Sequence, residues 1–78
     1  MVNPLGVYIG AKAVTPSDST LLSPVAQSLY VGVAGHLTLL MPDGTVVLFS
    51  NVPVGVFRVQ CQRVNSTGTT AQNIVALW

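Results

Sequence analysis

Charge is what this 78-residue chain has least of. Lys12, Asp18, Asp43, Arg58 and Arg63 are all of its ionic side chains, 6% of residues against roughly 25% in an average soluble domain. Three scattered basic residues provide no Lys/Arg cluster to replace the counterions of a nucleic acid. Two aspartates provide no carboxylate cluster for calcium or magnesium. Cysteine is nearly absent: Cys61 is the only one, so no disulfide can form within the chain, and it reads as a small core hydrophobe. With His36 as the single histidine, the donors for a tetrahedral metal site are missing too. No cofactor is implied.

Long hydrophobic runs are also missing, although half of the residues are hydrophobic. A membrane-spanning helix needs about 20 mainly apolar residues in succession. The best stretch, Leu29 to Met41, contains Gly32, Gly35, His36 and Thr38 and is stopped by Pro42. Met1 to Val14 has neither the basic start nor the apolar stretch of a secretory signal, so the expectation is a chain that begins near Met1 and folds in a reducing cytoplasm. A small, apolar and nearly uncharged domain buries too little surface to be comfortable alone. Disulfides and metals being excluded, partner subunits are the remaining source of stability.

What is present is β-forming sequence cut at short intervals by Gly and Pro. Strands are expected at Ala11–Thr15, Ser28–Val33, His36–Met41, Thr45–Ser50, Val56–Val64 and Asn73–Trp78. Ala34-Gly35, Pro42-Asp43-Gly44, Asn51 to Gly55 and Asn65 to Gly68 turn the chain between them. Pro42-Asp43-Gly44 is the clearest local signal, because Pro presets a turn and Gly accepts positive φ. It should pair the third and fourth strands antiparallel. Ser23-Pro24 could start one helical turn, as N-cap and first position.

Alternation assigns faces. Leu29, Val31 and Val33 share one side against Tyr30 and Gly32. Leu37, Leu39 and Met41 oppose His36, Thr38 and Leu40, and Phe57, Val59 and Cys61 oppose Arg58, Gln60 and Gln62. Ile74, Ala76 and Trp78 oppose Val75 and Leu77. Val46-Val47-Leu48-Phe49 is apolar on both sides, which calls for cover from the core and from a second body. The expected fold is all-β, a small antiparallel β-sandwich or partly open barrel of about six short strands. The whole of 1–78 forms one domain, with residues 1–10 as a candidate N-terminal arm.

Three stretches carry a family resemblance: Ala13-Val14-Thr15-Pro16-Ser17-Asp18-Ser19-Thr20, Leu29-Tyr30-Val31-Gly32-Val33-Ala34-Gly35, and Arg63-Val64-Asn65-Ser66-Thr67-Gly68-Thr69-Thr70-Ala71 leading to Ile74-Val75-Ala76-Leu77-Trp78. In order and spacing the chain resembles the small spike base proteins of gene transfer agents and tailed phages, from about Ala13 to Trp78. The resemblance implies a β-rich protein on a virion surface, assembled as a small symmetric oligomer and seating a spike or fibre. It transfers no active-site residue.

The expected function is therefore a structural virion protein, a capsid-attached spike base or head decoration on the phage particle surface. Its expected partners are itself, as a trimer or pentamer, and the major capsid protein or a spike fibre, with no nucleic acid and no membrane. The alternatives are a cement protein clamping capsid subunits, and a carbohydrate-binding module of a spike. No enzyme is expected: a Ser-His-Asp set could be drawn from His36, a serine and Asp43 or Asp18, but no serine sits in a nucleophile-elbow pattern. Asn65-Ser66-Thr67 matches a glycosylation acceptor and more simply makes a turn.

Candidate interface residues are Tyr8 and Tyr30, which join apolar area to a polar tip; Val47 and Phe49 from the doubly apolar run; Trp78, a residue type that anchors interfaces; and Arg58 and Arg63. Placed on one strand at odd separation, the two arginines should face opposite sides, each free to pair with Asp18 or Asp43 of its own or an adjacent copy.

Overall fold

The computed structural model describes residues 7–23 and 25–78. Seven strands form two antiparallel sheets: β1 Ala11–Val14, β2 Ser28–Val33, β3 Gly35–Leu40, β4 Val46–Val52, β5 Gly55–Phe57, β6 Arg63–Asn65 and β7 Gln72–Leu77. One sheet has the order β1-β7-β2-β5 and the other β4-β3-β6. The architecture is an all-β sandwich, and no helix occurs among the described residues. Pro24, and with it the Ser23-Pro24 helical turn, lies outside them, as do residues 1–6 of the expected arm. Ile9 and Gly10 of that segment are tied to the body, both donating their amides to the Trp78 carbonyl.

The core lies between the sheets, where the alternation predicts it. Leu29 and Val31 of β2, Leu37 and Leu39 of β3, Val64 of β6, and Ile74 and Ala76 of β7 are all buried. The β3–β4 hairpin closes as its sequence demands. Met41 and Thr45 are bonded across the turn, Gly44 holds φ at 94°, and Asp43 Oδ1 accepts from both the amide and hydroxyl of Thr45. Further along, β4 carries one extra residue between Gly35 and Leu37 of its partner. Asn51 takes up this bulge with φ of 57° and donates its amide to His36 Nδ1, the kind of local distortion that bends a strand. This bulge extends β4 to Val52 and shortens the following turn to Pro53-Val54.

The single strand expected at Val56–Val64 is two strands in different sheets. Alternation is real as far as Cys61: Phe57 and Val59 pack on the core, Cys61 is buried, and Val56, Arg58 and Gln60 are exposed. Cys61 and Val64 are then both buried at odd separation, which one straight strand cannot do. The chain crosses between sheets in this stretch, held by the paired backbone bonds of Cys61 and Ala26 and by the Gln62 amide on the Leu40 carbonyl. Both side chains thus enter the same core from opposite layers. The expected count of six becomes seven for this reason.

Candidate assembly surface

Cross-strand register composes the outer face of the four-stranded sheet. Ala13 is opposite Val75, Val75 opposite Tyr30, and Tyr30 opposite Val56. These four residues form one row across all four strands, with Tyr30 41% and Val56 53% exposed. The next row is Ala11, Leu77 and Ser28. Tyr8 reaches over it to hydrogen-bond the Ser28 hydroxyl, which is otherwise buried. The first row contains no charge; Arg58, two residues beyond Val56 on the same exposed side, follows Phe57 at the end of the second.

The second apolar region is β4, the edge of the three-stranded sheet. Val46 and Leu48 lie opposite Leu40 and Thr38 on its outer face and are 54% and 53% exposed. Val47 points to the inner side, where Met41, Asp43 and Gln60 border it in an open depression. Its relative Phe49 is only half-buried, its ring set edge-on to Phe57 at 5.2 Å. The doubly apolar run therefore meets the core at Phe49 and solvent over its first three residues.

The remaining candidates fall elsewhere. Trp78 is half-buried against its own core and lies over Gly10, where an added Cβ would collide with the indole ring. Arg58 and Arg63 do not share a strand: Arg58 is exposed in the crossing segment, while Arg63 belongs to β6 and donates from Nε to Asn65 Oδ1 at 2.6 Å. Both aspartates are engaged in turns instead, Asp43 by Thr45 and Asp18 by Thr67, whose hydroxyl and amide both donate to it. The structure thus groups Tyr8 with Tyr30, and Val47 with Phe49, and separates these pairs from each other; Arg58 lies on the exposed side shared with Val56, and Arg63 on β6 in the other sheet. Val75, Leu77, Ala11, Ala13 and Val56 were not among the candidate interface residues, although alternation places Val75 and Leu77 on one face of their strand. Their signal is the pairing of β7 with both β1 and β2, which is non-local and leaves no mark in the local pattern.

The chemistry-bearing groups are occupied with structure. His36 lies on the central strand β3, away from any sheet edge, and its Nδ1 accepts the Asn51 amide. Burial pushes the Cys61 thiol up to about 11, so it is protonated and unreactive at neutral pH. No group of three or more His, Cys, Asp or Glu side chains gathers among the described residues. A groove of about 240 Å³ between β1 and residues 20–23 is bordered by Lys12, Leu21 and Trp78, and the open depression beside Val47 measures about 450 Å³.

Asp18 and Asp43 are the only acidic side chains, and hydrogen bonds from Thr67 and Thr45 hold both below the ordinary carboxylate value of 3.8. A carboxylate whose pKa is lower folded than unfolded stabilises the fold above the unfolded value, and that contribution is lost as pH falls through the folded one. The melting temperature is accordingly expected to hold from neutral pH down to the ordinary carboxylate range and to decline modestly below it. Replacing both residues by Asn should flatten that decline in a series of melts against pH.

No family model matches the sequence, and no curated protein matches it. Among solved structures, a chain in the capsid of a native gene transfer agent (GTA) particle, computed with C5 symmetry, superposes with a TM-score of 0.85 at 31% identity. The match covers 100% of this chain and 92% of that one. The chain belongs to the family of that GTA capsid component. With the whole length covered, the likeness extends over both sheets. At 31% identity, what the two GTA-family chains chiefly share is the sandwich and its connections.

Proposed function

We propose that this protein is a structural component of a phage-like particle, seated on the head as a small symmetric homo-oligomer that serves as the base of a spike or fibre. The observation that carries the reading is the full-length likeness to a GTA capsid component at 31% identity. Two features of the chain support it. Its surface is nearly uncharged, and its apolar side chains form a continuous row on one face and a bare edge on β4; such surfaces mark interaction sites. The C5 symmetry of the neighbour's particle makes a pentamer the first assembly to test.

Mass spectrometry and cryo-electron microscopy of purified particles test the proposal. The expected result is the chain present in particles, in far fewer copies than the major capsid protein, with density at a few symmetry-related positions beneath a projecting structure. Occupancy of every equivalent capsid site would make it a cement protein instead. Absence from purified particles would refute both.

A further inference from the structure

The topology leaves one open strand edge on each flank of the sandwich. Ala34 alone separates β2 from β3, and Pro53-Val54 alone separate β4 from β5. With β5 beside β2 and β4 beside β3, β4 and β5 share one flank, while β1 and β6 share the other. The outer edge of β6 is closed by its own chain: Ser17 donates to the Val64 carbonyl and Leu22 to that of Gln62. β5 has only three residues. Among the described residues nothing pairs with the outer edge of β4 on one flank, or with that of β1 on the other. The β1 edge is longer than its four residues suggest, because Ile9 and Gly10 continue the pairing to Trp78.

Free edges on stable proteins are usually blunted by charge, proline or shortness. β4 has neither charge nor proline in its seven residues, Val46 to Val52, and its bulge at Asn51 leaves Val46 to Phe49 as a regular open edge; β1 is shorter and carries Lys12. Resting on the oligomer reading above, we propose that β4 of one copy pairs with β1 of the next, so that the three-stranded sheet of each subunit continues into the four-stranded sheet of its neighbour. A second copy fits better than a foreign strand, because one foreign strand would close a single edge and leave the other bare. Copies joined head to tail close both. Edges on opposite flanks make the contact heterologous, the kind that generates a closed ring when the rotation per copy divides a full turn.

At roughly 3.3 Å per residue, β4 runs about 23 Å. Against the molecule's smallest extent of 17 Å, each junction covers roughly 400 Å² on either partner, about half the share of a standard interface, so closure of the ring, which holds every copy on both flanks, has to supply the rest.

Two variants of the full chain test this by native mass spectrometry. V46K/L48K places charge on the β4 edge, and A11K/A13K places it on β1; all four positions are exposed, so circular dichroism and melting of the monomer should match those of the unmodified protein. Each variant alone should lose the multimer. Mixed, they should form a one-to-one dimer and nothing larger, because only the intact β4 of one and the intact β1 of the other can join. A multimer retained by either variant, a mixture that stays monomeric or assembles beyond the dimer, or an unmodified protein that is itself monomeric would overturn the proposal. With the chain still present in purified particles, a failed variant or mixture would remove the flank assignment alone, and a monomeric unmodified protein would remove the homo-oligomer with it. Absence from the particles would remove the reading beneath it.

Discussion

Leu39→Ala is expected to destabilise the isolated chain by roughly 2–5 kcal/mol, the range for removing a fully buried leucine and leaving a cavity. Leu39 is wholly buried at the centre of β3, in one row with Val64 of β6 and Val47 of β4. The core it belongs to is thin. Eleven described residues form it and three of these are alanines, so few large side chains remain to close the gap. For a chain of this length total stability is on the order of 4–12 kcal/mol, so the variant should lose a large share of it and unfold at a clearly lower urea concentration. Urea titration followed by circular dichroism measures the loss. Leu48→Ala, removed from an exposed position, should change stability by no more than about 0.5 kcal/mol. If folded copies associate, mass action adds stability that rises with protein concentration, and Leu39→Ala should regain part of its melting temperature in concentrated samples.

Gly35→Ala is expected to cost about 1–3 kcal/mol, the range for overpacking a close contact. A Cβ on Gly35 would stand 2.6 Å from the Ala71 amide nitrogen and 2.9 Å from its Cα. Backbone atoms cannot rotate aside as a side-chain tip can. The segment that must move is the one carrying the chain from β6 in one sheet to β7 in the other. It is held to β3 by the His36 amide on Thr70 Oγ1, by the Thr70 and Ala71 amides on the His36 carbonyl, and by the Thr38 amide on Thr69 Oγ1. Displacing it loosens the seam between the sheets. Thermal denaturation should show the loss, together with earlier hydrogen exchange at the amides of residues 70 and 71 than within β7.

These two positions illustrate what could be read in advance. Leu39 was legible as a core residue because the alternation of a half-buried strand is local and has period two. The proximity of Gly35 to Ala71 was not, since it depends on where a distant segment crosses. The same division runs through the candidate surface. Tyr30 was recognisable as outward-facing, but its row of Ala13, Val75 and Val56 exists only because β7 lies between β1 and β2. The expected strand at Val56–Val64 failed for a related reason: alternation persists through a segment that packs on the core without joining a ladder, and only the shared burial of Cys61 and Val64 exposes the change of sheet.

By itself, the sequence determined that the chain is all-β, that its third and fourth strands form a hairpin at Pro42-Asp43-Gly44, that Leu29, Val31, Leu37, Leu39, Ile74 and Ala76 face the core, though Val33, read with them, is exposed, and that few charges are available to keep copies apart. These properties follow from neighbours along the chain, where turn chemistry and side-chain alternation act. The tertiary structure alone decided the division into two sheets, the shielding of β6, the exposure of β4 and the placing of open edges on opposite flanks. Each of those depends on hydrogen bonds between strands far apart in sequence, whose partners are chosen by packing of the finished sandwich.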